Sequence, residues 1–515
     1  MRSDFSYPLR VSADRYPDKP VFIYRDRRWT YREFDAATDR LAASFQARGL
    51  TGERVAFLLQ NEPLTVMSYL ALARVGAIAV PINPRLLLDE ISFIVENSGA
   101  SAVIADAAFL DAARELVKRH ESLERLFTVN APLDRGDGER IEDLVAGDGA
   151  GPAVDVDPRS VAILVYTSGT SGFPKGVMRT HEANHWACVN SVVGQPRFAD
   201  DVEVFVLPLF GIAFIFQVMP MILAGGTTIL DGAFDPARTW ELLERHRATR
   251  VFLAPTMLDS MLAVDGHERH DLSALRILNT AYEFPERVRI RAAERFGPII
   301  AYMYGLTEAQ LCVSTPGEFA DDPSNAGHPM GMMRVRVVDE NRVPVATGEV
   351  GEIAMQGPSL MSGYYGREEA TAEVLADGWL YTGDLGYLDE AGRIHIAGRK
   401  KEIIKSGGFT VDPVEVERAL LAYEGVLEAA VVGMPDEHWG EVVVAFVAAS
   451  PSADVSQPEL LAFVKSRVAS FKCPKQVVFM PALPKNPMGK IERGRLRAQA
   501  AEIAVPAGSV PAGSQ

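Results

Sequence analysis

The chain has 515 residues, more than one compact core normally holds, so two or more domains are expected. Apolar residues make up 48% and charged residues 23%, which excludes disordered and collagen-like classes, and the formal net charge of -16 at pH 7 disfavours nucleic acid as a partner. Cys188, Cys312 and Cys473 are far apart and form no C-x-x-C, against a disulfide framework or structural zinc and in favour of a reducing cytoplasm.

Met1-Arg2-Ser3-Asp4 leads into no apolar h-region, so no secretory signal is expected. Thr30-Tyr31-Arg32-Glu33 reads as a capping box. Phe34, Ala37, Leu41 and Phe45 then recur at helical spacing, and Gly49 can end the helix. Residues 55–59 are strand-like, 64–75 helical, and 77–80 and 102–105 strand-like again. This alternation predicts an α/β fold with largely parallel sheets covered by helices. Residues 161–166 read as a strand, followed by a glycine-rich turn and a polar helix. Residues 204–226 carry no charge and are long enough to span a bilayer, but Pro208, Gly211, Gln217 and Pro220 predict a buried strand, loop and helix instead. Helix is expected at 240–247 and 285–295, with a strand at 251–254.

From about residue 330 the texture changes. Short strands at 335–338, 351–355 and 393–396, separated by glycine turns, predict a small antiparallel, barrel-like region. A smaller α+β unit follows Arg399, with helices at 414–421 and 458–468 and strands at 426–433 and 442–448. The expected division is an N-terminal domain at 1–398, a boundary at 399–401, a C-terminal domain at 402–504, and a disordered tail at 505–515, where VPAGS repeats.

The strongest local signal is Tyr166-Thr167-Ser168-Gly169-Thr170-Ser171-Gly172-Phe173-Pro174-Lys175-Gly176. Glycines let several backbone N–H groups point at one anion, the hydroxyls of Thr167, Ser168 and Thr170 add neutral donors, and Lys175 adds charge. This reads as a polyphosphate cradle. It is not a Walker A loop, and on composition alone a Gly/Ser surface loop is the alternative. His267 and His270 sit in a charged stretch without a third ligand and read as a surface loop. His181, just past the glycine-rich loop, reads as structural.

The loop closely resembles the YTSGTTGxPKG signature of the adenylate-forming superfamily, which includes acyl-CoA synthetases, luciferases and peptide-synthetase adenylation domains. Tyr304-Gly305-Leu306-Thr307-Glu308 resembles that family's YGxTE, Tyr381-Thr382-Gly383-Asp384 its YTGD, Gly398-Arg399-Lys400-Lys401-Glu402 its hinge motif, and Pro484-Lys485-Asn486-Pro487-Met488-Gly489-Lys490-Ile491 its PKTxxGKI. These motifs come in the family's order across nearly the whole chain. The resemblance implies an enzyme that uses ATP and Mg²⁺ to convert an acid to an acyl-adenylate, releasing pyrophosphate. It further implies that Lys175, with Thr167, Ser168, Gly169 and Thr170, holds the β- and γ-phosphates, that Thr307 bonds the α-phosphate, and that Glu308 binds Mg²⁺. Tyr304 would stack on adenine, Asp384 would accept the ribose hydroxyls with Arg399 nearby, and Lys490 would be a mobile catalytic cation for the first step.

The acyl-CoA synthetase branch further implies that the C-terminal domain swings about Lys401 and builds a tunnel for coenzyme A, a co-substrate. Gly407 and Gly408 would lie beside the pantetheine arm, Trp439 belongs to the same reading, and Lys472 and Lys475 would meet coenzyme A phosphates. The acid pocket would be lined by Phe210, Gly211, Ala213, Phe214, Ala281, Tyr282, Gly305, Gln310, Leu311 and Cys312, which suits an aromatic or medium-length acid better than acetate. Two departures stand out. Gly211 occupies the place where many ligases carry the histidine of PLFH, and Tyr282 stands in a usually small segment. Gly211 keeps a second acceptor open: an amine, a carrier protein, or activated nitrite chemistry in place of coenzyme A. The remaining expectations are a cytoplasmic enzyme, no membrane span and a possible homodimer.

Overall fold

The computed structural model describes residues 4–131, 138–149, 151–152, 154–167, 174–281, 286–318, 322, 324–400, 402–406, 409–436, 439–451, 453, 455–486 and 491–502; the repeated tail lies outside them. The capping box forms. Glu33 N donates to Thr30 Oγ1 at 3.2 Å and Thr30 N to Glu33 Oε2 at 2.9 Å, opening the helix Tyr31–Ala47. Its stripe of Phe34, Ala37, Leu41 and Phe45 is buried, and Gly49 takes the left-handed backbone that ends it.

Three sheets organise the chain. In the largest, Pro20–Tyr24, Thr227–Leu230, Val202–Phe205, Arg250–Phe252, Ile277–Thr280 and Ile300–Gly305 run parallel. The ladder then turns antiparallel through Gln310–Val313, Asn325–Pro329, Ile394–Arg399, Trp379–Leu388, Gly351–Gln356 and Arg334–Val338. The antiparallel region therefore begins well before residue 330. A tight reversal causes this: Leu306 N donates to Ala309 O at 2.8 Å, and Ala309 N to Leu306 O at 3.2 Å. The second sheet orders Gly363–Tyr364, Lys175–Thr180, Val161–Thr167, Ile78–Pro81, Arg54–Leu58, Ala102–Asp106, Arg125–Val129 and Glu139–Arg140. The helix expected directly after the glycine-rich loop starts only at His181, because Lys175–Thr180 first returns antiparallel to Val161–Thr167. That return satisfies a ladder of backbone groups beside buried Val177, which a helix beginning at Lys175 would leave unpaired.

The uncharged stretch is the strand Val202–Phe205, a loop, a π-type turn Phe214–Val218 running into the helix Met219–Ala224, and the strand Thr227–Leu230. Among the described residues no helix is long and apolar enough to cross a membrane.

The third sheet holds Ile404–Ser406, Phe409–Val411, Val426–Asp436, Gly440–Ala449 and Gln476–Phe479. Val431, Val443, Ala445 and Val447 pack on one face with Val416, Leu420 and Leu460 of helices Pro413–Leu421 and Gln457–Lys465. Ala430, Val432, Val442, Val444 and Phe446 pack on the other with Leu496 and Ala500 of Arg493–Glu502. Burial on both faces explains why these strands read as unbroken apolar runs. The last strand of the first sheet ends at Arg399, and the third sheet begins at Ile404.

Candidate active site

The strands that flank the glycine-rich loop pair antiparallel, with Thr167 opposite Lys175 and Tyr166 opposite Gly176. The strand Val161–Thr167 lies parallel to Ile78–Pro81, so the loop leaves the carboxyl end of a parallel strand, where ligands of such sheets gather. Beyond Lys175 the short strand Gly363–Tyr364 closes in, antiparallel to Lys175–Thr180. Tyr364 pairs with Val177, and Tyr365 N donates to Gly176 O at 2.8 Å. The Lys175 ammonium stands 4.9 Å from the centre of the Tyr364 ring, and the Tyr364 hydroxyl donates to Glu308 Oε1 at 2.8 Å. Burial, then the Glu308 carboxylate, hold the Tyr364 phenol far above its usual pKa, so it remains a donor. The predicted phosphate lysine and the predicted metal carboxylate are thus joined through one tyrosine ring.

Arg179 stitches the two motifs together from beneath. It is fully buried; its Nη1 donates to Ser359 O at 2.8 Å and Glu308 O at 3.3 Å, and its Nε to Asn184 Oδ1 at 3.1 Å. Burial pushes its guanidinium down to about 10, partly opposed by Glu308, so it is still a cation at neutral pH.

Tyr304 and Asp384 meet across 80 residues of chain: the Tyr304 hydroxyl donates to Asp384 Oδ2 at 2.6 Å. Arg399, the cross-strand partner of Asp384, brings its Nε to Oδ1 at 2.8 Å. Gly383 has a left-handed φ of 73°, which supplies the turn that aims Asp384 inward. Burial, then Asp384, push the Tyr304 phenol well above its ordinary value. The Asp384 side chain is only 5% exposed, so a ligand would find only the lone pairs that Tyr304 and Arg399 leave free. Thr307 and Glu308 lie half-buried in the reversal between Ile300–Gly305 and Gln310–Val313, and Gly305 is exposed.

The acid side is assembled differently. Phe210, Gly211 and Ala213 are half-buried, and Phe214 is buried, stacked on Tyr69 at 4.3 Å with a 19° tilt. Ala281 packs against the same cluster. The loop before Gly211 is held from afar: Asn61 Nδ2 donates to Leu207 O at 2.7 Å, Leu209 N to Asn61 Oδ1 at 2.8 Å, and the Tyr69 hydroxyl to Leu209 O at 2.9 Å. A side chain begun at Gly211 would meet only Pro208 O, at an ordinary 3.5 Å, and its φ is not left-handed. The backbone therefore does not require glycine there. Cys312 does not face this pocket. It stands opposite Tyr304 and packs with Tyr304 and Ala309, whereas the neighbouring Met303 and Val313 pack with Phe214. Strand alternation decides which side of the ladder each residue serves.

In the C-terminal unit, Trp439 is 44% exposed, with Lys475 Nζ 5.7 Å from its ring centre. Lys472 is instead committed to Glu415, Nζ to Oε1 at 2.8 Å, which argues against a free phosphate-binding role. Lys485 and Ile491 form an antiparallel bridge, and Glu492 N donates to Pro484 O at 2.9 Å, pinning the base of the segment that carries Lys490. Lys490, Lys401, Ser168, Gly169, Thr170, Tyr282, Gly407 and Gly408 lie outside the described residues, as do the side chains of Gln310 and Leu311.

Other expectations resolve simply. His267 and His270 stack on Trp240, with centroids at 5.4 and 6.0 Å, and His181 Nδ1 accepts from Phe5 N at 3.0 Å while burial holds its pKa near 4. Arg179, Tyr364, Asn61, Tyr69 and Gln217 escaped the sequence reading. Only Tyr364 carried a local cue, in Gly363-Tyr364-Tyr365-Gly366; Asn61 and Tyr69 act on a loop 140 or more residues away.

The chain is similar to known proteins along nearly its whole length. A family model described as AMP-binding enzyme matches residues 9–365, and one described as AMP-binding enzyme C-terminal domain matches 415–490. A feruloyl-CoA synthase of Amycolatopsis sp is 38% identical over 497 residues, covering 96% of this chain and 98% of the relative. An indoleacetate–CoA ligase of Aromatoleum aromaticum is 33% identical, covering 93% and 95%. The solved amide bond synthetase McbA from Marinactinospora thermotolerans superposes with a TM-score of 0.88 at 27% identity, covering 96% and 99%. The chain belongs to the adenylate-forming AMP-binding enzymes, in their acyl-CoA synthetase branch. It is an AMP-forming acid–CoA ligase: it activates a carboxylic acid as an acyl-adenylate and then forms the coenzyme A thioester.

Proposed function

We propose that the acid is aromatic, an aryl group carried on a short acyl chain, and that it lies against Phe210, Phe214 and Ala281 in the space that Gly211 leaves open. The observation that carries this reading is Gly211 itself, a glycine that the backbone does not need, beside half-buried apolar walls. A missing side chain at such a place serves a ligand, since protein interiors otherwise fill their space. The feruloyl-CoA synthase and indoleacetate–CoA ligase relatives support an aromatic acid.

In the first step an acid oxygen bonds to the α-phosphorus of ATP and the bond to pyrophosphate breaks. In the second the coenzyme A sulfur bonds to the acyl carbon and AMP leaves. Lys175 and the glycine-rich loop hold the outer phosphates, Thr307 the α-phosphate, and Asp384 with Tyr304 and Arg399 the ribose. Glu308 suits Mg²⁺: it is half-buried, one of its oxygens accepts from Tyr364, and no group of three or more ligating side chains stands among the described residues, which fits an ion completed by phosphate and water. When bound, the ion neutralises charge on the phosphates. Lys490 serves the first step. The chain divides at residues 399–401 into a larger domain and a C-terminal domain that turns about Lys401, bringing Trp439, Gly407 and Gly408 to coenzyme A.

Gly211 also supports a second reading, in which an amine takes the acyl group, and the fold likeness to an amide bond synthetase keeps it in view. An acid panel assayed for AMP release and thioester, with and without coenzyme A and with an amine, separates the two. A thioester for every AMP with aromatic acids, and poor turnover of acetate, is the expected result. AMP release without thioester in the presence of an amine overturns the acceptor. Preference for acetate overturns the acid.

A further inference from the structure

Gln217 lies in the turn Phe214–Val218 and is 2% exposed. Its Oε1 accepts from Arg197 Nη2 at 3.0 Å, and its Nε2 donates to Met303 Sδ at 3.4 Å. Arg197 is itself buried, and its Nη1 donates to Ser191 O at 3.0 Å and Gln195 O at 3.1 Å, so the guanidinium is tied down. A guanidinium has donors and no acceptor, so the amide must turn its oxygen toward Arg197 and its NH₂ toward Met303. A thioether is a weak acceptor. The amide NH₂ has therefore lost its water without gaining a strong partner, an arrangement that costs free energy unless something better arrives.

Strand alternation shows where that donor points. Tyr304 faces the cluster that holds Asp384's partner hydroxyl, while Met303, one residue earlier, packs in the cluster of Phe214 against which Ala281 rests. The under-satisfied NH₂ thus stands at the apolar side of the ladder, behind an unbranched and adaptable methionine side chain that can move aside.

We propose that Gln217 is a specificity-determining residue for the end of the acid remote from its carboxylate. It donates a hydrogen bond to an oxygen carried there, a phenol, ether or carbonyl oxygen, in place of the Met303 sulfur. Arg197 is a positioning residue that fixes which way the amide faces. This inference rests on the acid pocket proposed above and names the substituent that the pocket selects.

The test compares kcat/KM for thioester formation on matched acids that differ by one remote oxygen: 4-hydroxycinnamate against cinnamate, 4-methoxyphenylpropanoate against phenylpropanoate, and 8-hydroxyoctanoate against octanoate. The wild type is expected to favour the oxygenated member of at least one pair by roughly tenfold or more, because a site built to hydrogen-bond an oxygen rejects the analogue without it. Gln217→Leu and Gln217→Glu should lose most of that preference, read as the ratio of kcat/KM within each pair. The glutamate variant keeps an acceptor for Arg197 and replaces the donor by a carboxylate oxygen, and the leucine variant removes the donor without adding charge, so retained preference in both overturns the proposal, as does a wild type without preference in any pair. The wild-type comparison needs no variant to fold. Turnover of the octanoate pair alone refutes the aromatic reading and leaves the Gln217 proposal decided by that pair; turnover of none of the six acids overturns both.

Discussion

The nucleotide side and the acid side of this enzyme are built by opposite rules. On the proposed nucleotide side, polar residues from short motifs are brought together by strand pairing and side-chain contacts: Lys175 to Tyr364 and Glu308, and Tyr304 to Asp384 and Arg399. Lys175 stands over the Tyr364 ring, and Tyr364, Tyr304 and Arg399 each reach a carboxylate of the site through a hydrogen bond or an ion pair. On the acid side, Phe210, Gly211, Phe214, Ala281 and Met303 contribute shape, and the loop that carries Gly211 is positioned by Asn61 and Tyr69 from a distant part of the chain. The lesson is that chemistry shared by every substrate rests on charge and direction, which tolerate few residue types. Selection of one acid rests on volume, which many residue combinations can produce.

Breaking the nucleotide side should cost most. Lys490→Ala is expected to reduce adenylation by about 10²–10³, the usual loss when one electrostatic contact to a transition state is removed. Thioester formation from supplied acyl-adenylate should survive, and half-reaction kinetics check this; equal loss in both halves would remove Lys490 from the first step alone. A change on the acid side should redirect activity more than abolish it. Gly211→His is expected to fold, because only Pro208 O stands near its Cβ, and to shift the ratio of kcat/KM toward smaller acids by roughly tenfold. Competition assays with a small and a large acid measure that ratio, and an unchanged ratio would place Gly211 outside the pocket.

The link between Lys175 and Glu308 offers a finer test. Tyr364→Phe keeps the ring beside Lys175 and deletes the hydroxyl that Glu308 accepts. The expected change is about 1 kcal/mol, a few-fold rise in the Mg²⁺·ATP concentration needed for half-maximal rate, with the acid KM unmoved. A matching rise in acid KM would mean that the tyrosine acts on the whole cleft.

The smallest effect on activity is expected at Glu62, which touches neither region. It is 3% exposed, and its oxygens accept from Asn130 Nδ2 at 3.0 and 2.9 Å. Burial, opposed in part by Asn130, raises its carboxyl to about 7 from an ordinary 4.5. A raised folded-state value means that its contribution to stability is fully present below about pH 4.5 and is lost as pH rises through about 7. Glu62→Gln should therefore gain on the wild type across that window, by roughly one to three degrees in thermal midpoint above pH 7, and match it near pH 4.5. Melting curves at both ends check the sign; equal curves at every pH would show that Glu62 is not desolvated.

Much of the nucleotide side was legible before any fold was known. Tyr304, Thr307, Glu308, Lys175, Asp384 and Arg399 all lie in short motifs, because a turn residue such as Gly383 and the side chain it aims must be neighbours in the chain. The helices Pro413–Leu421 and Gln457–Lys465 and the long strands Val426–Asp436 and Gly440–Ala449 were legible as well, since apolar runs and periodic stripes are local properties, whereas the short strands Ile404–Ser406, Phe409–Val411 and Gln476–Phe479 and the helix Arg493–Glu502 were not. Less legible were the returning strand Lys175–Thr180 and the early switch to antiparallel pairing at Gln310–Val313, both of which depend on partners beyond the local window.

The sequence by itself determined the adenylate-forming family, the order of its motifs, and the residue types those motifs carry. Only the tertiary structure decided that Arg179 and Tyr364 join two of those motifs, that Cys312 serves the Tyr304 side of the ladder and Met303 the other, and that the Gln217 amide turns its NH₂ toward Met303. The reason is physical. A motif is written by residues that must be adjacent in the chain, whereas burial, strand parity and the orientation of an amide are set by whatever the fold brings alongside.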